Sequence, residues 1–301
     1  MDGRRLQDPA YRPARSLNLI LVLNVCLPSP VVELHDERLT AAGVRVLLKR
    51  DDLVHPEVPG NKWRKLKYNV PLAVSAGTLL TFGGAYSNHL RAVAAAGHHY
   101  GFNTIGVVRG EEHLPLNPSL AYAVSRGMHL TYLDRATYRA KTSPLVLDRL
   151  HQEFGDFHLL PEGGSNPAAV RGCAELLAEL AEPYDILLCA VGTGTTLAGL
   201  TTGSQPTIGV PVLKASLEDD IVALQQTAFG ERVGDWRLLA GYHFGGYAKR
   251  TPVLDAFIDD FVSRHGLALD WVYEAKMMYA LFDQVRQGAF STGTTIVALI
   301  N

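Results

Sequence analysis

Asp185-Ile186-Leu187-Leu188-Cys189-Ala190-Val191-Gly192-Thr193-Gly194-Thr195-Thr196 is the stretch that decides the fold. Residues 185–190 read as a strand with apolar side chains on both faces, the mark of a parallel sheet covered by helices on each side. A glycine turn follows at once and opens a helix through Leu197 and Leu200. That geometry gathers backbone N–H groups and threonine hydroxyls around one point, where a phosphate would be held. The turn has neither the G-x-x-x-x-G-K-[ST] spacing of triphosphate binding nor the G-x-G-x-x-G spacing of dinucleotide binding, so a lone phosphate fits it best. A turn that only reverses the chain is the alternative this stretch leaves open.

Outward from it, strand and helix patterns alternate. Residues 43–49, 79–82, 104–108, 129–133, 159–160, 207–213 and 294–300 read as strands, and 87–101, 118–126 and 144–154 as helices. Further helices begin near Lys62, Pro167, Ser216, Thr251 and Ala275. The alternation predicts an α/β fold of open, twisted parallel sheets. With 301 residues the chain can hold one large or two medium domains. Residues 17–27 form an apolar run after Arg12 and Arg15, broken by Asn18 and Asn24 and followed by no small-x-small cleavage site. It reads as an N-terminal strand rather than a signal peptide, and it is too short to span a bilayer.

A formal net charge of -2 offers no global attraction for nucleic acid or an anionic membrane. Cys26, Cys173 and Cys189 lie far apart with no C-x-x-C or Cys/His spacing. That pattern argues against a disulfide framework or a structural metal site and predicts a reducing cytoplasm.

Against that background Pro59-Gly60-Asn61-Lys62-Trp63-Arg64-Lys65-Leu66-Lys67 stands out as a local cationic cluster. Lys62 falls just inside a helix N-terminus among other cations, which disfavours its charged form and favours a nucleophilic amine able to form a Schiff base. Arg64 and Lys65 read as local charge that assists a phosphate and depresses Lys62; a solvated helix face is the alternative. A third feature is Gly83-Gly84-Ala85-Tyr86-Ser87-Asn88-His89, whose free N–H groups and Ser87, Asn88 and His89 side chains could bind a carboxylate, although Ser87 also suits an N-cap. No G-x-S-x-G elbow is present. Residues 162–166 form a weaker turn of the same kind. A Schiff-base lysine, a phosphate cradle and a carboxylate cradle together describe a site for pyridoxal phosphate and a small amino acid.

Together with Lys49-Arg50-Asp51-Asp52, the Lys62, Ser87 and Gly192 segments resemble the 1-aminocyclopropane-1-carboxylate deaminase and D-cysteine desulfhydrase family, from about residue 27 to near the C-terminus. The resemblance implies a tryptophan-synthase-β-like enzyme (pyridoxal phosphate fold type II), with residues 1–74 and 173–301 in a large cofactor-binding domain and 75–172 in a smaller one. It implies that Lys62 carries the cofactor, that Lys65 and Gly192, Thr193, Gly194, Thr195 and Thr196 hold its phosphate, and that Asn88 bonds its ring hydroxyl. Glu274 would lie beside the ring nitrogen. Ser87, Tyr247 and Tyr273 would join Lys62 in catalysis, and a homodimer is expected.

The chemistry so implied is lyase or hydrolase chemistry that turns a small amino acid into an α-keto acid and ammonia. A D-amino acid with a β-leaving group would lose its α-proton to Lys62. A cyclopropane substrate has no α-proton, so Ser87, Tyr247 or Tyr273 would open its ring. In the resemblance an acidic Glu274 tilts the choice towards the deaminase. The family continues its last strand into a His-(Thr/Leu)-Gly-Gly turn, whereas this sequence stops at Asn301. The alternative expectation is therefore a degenerate cofactor-binding member with little turnover.

Overall fold

The computed structural model describes residues 23–301. Of the apolar run, residues 17–22 lie outside the described residues, and 23–27 form no strand. The strands are β1 (Val31–Glu33), β2 (Arg45–Arg50), β3 (Thr78–Gly83), β4 (Asn103–Arg109), β5 (Met128–Leu133), β6 (His158–Leu160), β7 (Ile186–Val191), β8 (Thr207–Pro211), β9 (Trp236–Leu238) and β10 (Thr295–Ile300). The α-helices, in chain order, are α1 (Glu37–Ala42), α2 (Gly60–Lys67), α3 (Val70–Ala76), α4 (Asn88–Tyr100), α5 (Pro118–Ser125) and α6 (Arg135–Arg139). They continue as α7 (Pro144–Phe154), α8 (Pro167–Ala174), α9 (Thr195–Leu200), α10 (Glu218–Phe229), α11 (Pro252–His265) and α12 (Glu274–Arg286).

Two sheets result, one ordered β1-β2-β10-β7-β8-β9 and the other β5-β4-β3-β6. All pairings are parallel except β1 with β2. That antiparallel edge departs from the all-parallel expectation; β1 is three residues long, and the short α1 lets the chain return to β2 directly beside it. The smaller sheet takes all its strands from within residues 75–172.

The apolar runs are buried on both faces, as parallel strands require. On β10, Ile296, Ala298 and Ile300 join one core cluster with Leu188 and Met277, while Val297 and Leu299 join another with Leu187 and Leu197. Each fully buried aliphatic side chain of this kind contributes about 1.5–3 kcal/mol. Helix ends follow local rules too: Ser87 Oγ accepts the Leu90 N–H at the start of α4, and Gly101 ends it in the left-handed region.

Two glycines set the relation of the elements that matter most. A Cβ on Gly172 of α8 would lie 2.0 Å from the Arg64 carbonyl oxygen of α2, and one on Gly199 of α9 would lie 2.5 Å from the Val170 oxygen of α8. Only glycine permits these approaches. They lock α2, which carries Lys62, to α8, and α8 to α9, which the 192–196 turn opens.

Candidate active site

Because the strands run parallel, their C-terminal ends face one way, and the loops that leave them build a cleft of about 890 Å³. Of the residues singled out from sequence, all but Arg64 line it: Lys62 and Lys65 from α2, Ser87, Asn88 and His89 after β3, Gly192 to Thr196 after β7, and Tyr247, Tyr273 and Glu274 from the C-terminal third.

Lys62 is half-buried, and its Nζ donates to Asn61 Oδ1 at 2.8 Å. Burial, and then the neighbouring Lys65 cation, pull its pKa from 10.5 to about 7, against weaker opposing pulls from Glu274 and Asp270. Near neutrality about half of such amines are unprotonated and nucleophilic. Lys65 is also lowered by burial, and its Nζ reaches the Gly163 oxygen at 3.2 Å.

The phosphate-cradle turn has the shape its sequence calls for. Gly194 has φ +81, and a Cβ there would fall 2.6 Å from Ile221 Cγ1, so backbone alone fits. Thr193 and Thr195 hydroxyls are 3.1 Å apart, and Thr195 donates to Ser165 Oγ at 2.7 Å. The 162–166 turn, read from sequence as the weakest of the three, supplies that Ser165 and the carbonyl that holds Lys65.

At the other side, Glu274 is buried at 4% exposure, with Oε1 accepting the Asn301 N–H at 3.3 Å and Oε2 without a partner among the described residues. Burial and then Asp270 raise it to about 8. Tyr273 is held well above the ordinary phenol range by burial and then by Tyr247, so it serves as a hydrogen-bond donor and not as a phenolate. The two rings meet edge to face at 6.1 Å, and Tyr247 is 45% exposed at the cleft.

Two expectations need correction. His89 donates no bond to a carboxylate from its side chain: Thr81 Oγ1 gives its hydrogen to the Leu160 oxygen at 2.7 Å and so accepts from His89 Nε2 at 2.9 Å. That fixes the tautomer, leaves Nδ1 as a buried acceptor without a partner among the described residues, and burial with Lys62 and Lys65 keeps the ring neutral. Arg64 does not face the cleft either; its guanidinium is spent on Asp51 (2.6 and 2.8 Å) and Glu179 (2.9 and 3.0 Å).

Other site residues gave no sequence signal of their own. Asp270 lines the cleft and accepts the Val272 and Tyr273 N–H groups at 2.9 and 2.8 Å, which an acid just before a helix would suggest only as a turn. Lys276 is fully buried and donates to the carbonyls of Val212 (3.3 Å), His243 (2.9 Å) and Gly246 (2.8 Å), tying down the segment that carries Tyr247. Asn301 Oδ1 accepts the Asn61 N–H at 3.1 Å, beside Lys62.

These donors fit a flat, phosphorylated carbonyl compound with a basic ring nitrogen. The fit rests on the amine at the cleft wall, the glycine-threonine turn, and the buried Glu274 oxygen that lacks a partner.

Comparison with known proteins agrees with that fit. The family model described as "Pyridoxal-phosphate dependent enzyme" matches residues 22–301. A putative 1-aminocyclopropane-1-carboxylate deaminase of Pyrococcus horikoshii is 30% identical over 270 residues, covering 82% of this chain and 81% of that protein. The mitochondrial bifunctional D-cysteine desulfhydrase/1-aminocyclopropane-1-carboxylate deaminase of Arabidopsis thaliana is 28% identical, over 81% of this chain and 68% of its own. A crystal structure described as an ACC deaminase homologue superposes with TM-score 0.78 at 26% identity, over 95% of this chain and 94% of the other. These comparisons support the lyase reading of the expected chemistry and not the hydrolase one.

Proposed function

Belonging to the pyridoxal-phosphate-dependent enzymes, in the 1-aminocyclopropane-1-carboxylate deaminase and D-cysteine desulfhydrase family with its fold type II architecture, the chain is one for which we propose a lyase reaction converting a small amino acid to an α-keto acid and ammonia. The observation that carries the proposal is the Lys62 amine, held near pKa 7 in the same cleft as the Glu274 carboxyl, whose Oε2 has no partner among the described residues. The alternative of a degenerate member with little turnover is not favoured, because the residues the chemistry needs all line one cleft.

Pyridoxal phosphate, when bound, supplies an electrophilic carbonyl for an amine and a ring that withdraws electron density from the substrate's Cα. In this reading the N–H groups and hydroxyls of Gly192, Thr193, Gly194, Thr195 and Thr196, with Lys65, would hold the phosphate. Asn88 would bond the ring hydroxyl, and Glu274, whose Oε2 has no partner among the described residues, would face the ring nitrogen. Lys62 would serve as the base that takes the proton from Cα of a substrate with a β-leaving group. Ser87 has a hydroxyl hydrogen to give, because its oxygen already accepts from Leu90, and with the N–H groups of its turn it orients the substrate carboxylate. Tyr273, kept protonated by its burial, would donate a hydrogen bond towards the departing group or the opening ring, and Tyr247 limits water at the cleft mouth. Glu274 favours the cyclopropane reaction over elimination of sulfide.

The test is incubation of the cofactor-loaded protein with D-cysteine, L-cysteine and 1-aminocyclopropane-1-carboxylate, with keto acid, ammonia and sulfide measured. The proposal expects keto acid and ammonia in equal amounts from at least one of them; none from any would overturn it. We also propose that residues 1–74 with 173–301, and 75–172, are the two domains, and that the protein is a cytoplasmic homodimer. Sedimentation at twice the 32.8 kDa chain mass checks the dimer.

A further inference from the structure

The geometry points to a second recognition site that opens into the cleft and binds a distal anionic group, a carboxylate or another oxyanion, on the amino-acid substrate itself. This deepens the reading above and rests on the adjoining cleft being an amino-acid site.

A hollow of about 680 Å³ adjoins that cleft and shares with it every lining residue except Arg139; Arg109, Arg135 and Lys249 are among those shared. Arg139 completes its cationic lining. Arg109 ends β4, Arg135 and Arg139 lie on α6 just after β5, and Lys249 comes from the segment held down by Lys276. These positions follow from topology: β3, β4 and β5 are parallel neighbours, so their C-terminal loops present their side chains at one sheet edge.

Among the described residues, none of these four cations forms an ion pair. Two of the nearby acids are already engaged, while Glu111 and Glu112, in the loop just after Arg109, line neither the hollow nor the cleft. Asp134, held low by its bonds to Thr137 and Ala136 and then by Arg139, caps α6, and Glu162 pairs with Lys141 at 3.1 Å. In a chain of formal charge -2, four unpaired cations around one hollow are a local concentration and not a general bias.

A simple zwitterionic amino acid gives them nothing to bind. Its amine is claimed by the Lys62 site and its carboxylate by the Ser87 turn, and its net charge is zero. A substrate with one further negative charge on its side chain would bring that group to them, since Arg109, Arg135 and Lys249 line the cleft as well as the hollow. Guanidinium forks suit planar and tetrahedral oxyanions alike.

Isosteric ligands without a β-leaving group isolate the effect. Titration calorimetry of the cofactor-loaded protein would compare glutamate and 2-amino-4-phosphonobutyrate with glutamine, in both enantiomers. The proposal expects at least one anion to bind about tenfold or more tighter than glutamine, the preference shrinking as salt rises from 0.02 to about 0.5 M. The glutamate and phosphonate arms show which oxyanion is preferred. In R135Q/R139Q, substituted at two exposed positions, the ratio should fall towards one. Equal affinity for all three ligands, or a preference unmoved by both salt and the substitutions, overturns the inference. The two readings fail separately: keto acid from cysteine without anion preference removes only the second site, and anion preference without keto acid from any substrate removes only the lyase.

Discussion

Replacing Lys62 with methionine should stabilise the cofactor-free protein, and the gain should depend on pH in one direction. Its pKa falls from 10.5 unfolded to about 7 folded. Between those values the unfolded chain holds the proton and the native chain does not, so stability rises with pH across that window. Below it, the folded state carries a buried cation that it disfavours. At about 1.4 kcal/mol per pH unit the penalty comes to about 4 kcal/mol at pH 7, about 2 at pH 9 and less than about 1 at pH 10. Lys62→Met removes this penalty, and the lost attraction for Glu274 takes part of the gain back. For 301 residues each kcal/mol moves Tm by about 1.6 °C, so a rise of several degrees is expected at pH 7. Differential scanning calorimetry of both proteins at pH 6, 7, 9 and 10 reads it. A variant less stable at pH 7, or a gain equal at pH 6 and pH 10, would refute the account of Lys62 as a strained, desolvated amine.

Other consequences follow from single contacts. Lys276→Met leaves the carbonyls of Val212, His243 and Gly246 without their donor; urea unfolding should show a loss of about 2–4 kcal/mol, and kcat/KM should fall as Tyr247 loosens, with cofactor affinity retained. Gly194→Ala forces a side chain into the left-handed region against Ile221. At about 1–2 kcal/mol of strain, cofactor affinity measured by absorbance titration should drop about tenfold. Arg64→Met strips the guanidinium from the fully buried Asp51, and breaking such a pair costs about 3–5 kcal/mol. Thermal unfolding should show this; a loss confined to activity would mean that Arg64 faces the cleft after all.

What could be read from sequence was local. The 185–196 stretch and the 83–89 turn set apolar runs against glycines within a dozen residues, and that contrast survives any tertiary context. Lys62 and Lys65 share a helix face by their i, i+3 spacing, and Arg64 lies about 100° round from Lys65; that spacing, applied strictly, already turns Arg64 away from the cleft. Chemistry that depends on distant partners could not be read. His89 is turned aside by Thr81 and the Leu160 carbonyl, Lys276 finds its acceptors 30 to 64 positions away, and the cationic hollow gathers Arg109, Arg135, Arg139 and Lys249 only once three strands align. The edge strands β1 and β9, three residues each, are too short to show a period.

The central claim is that Lys62 is the residue that bonds pyridoxal phosphate. Borohydride reduction of the coloured protein followed by peptide mass mapping tests it directly. The account predicts loss of the visible band and a pyridoxyl group on the peptide containing Lys62. A modified lysine elsewhere, or an unmodified Lys62 in protein that still turns over substrate, would contradict it.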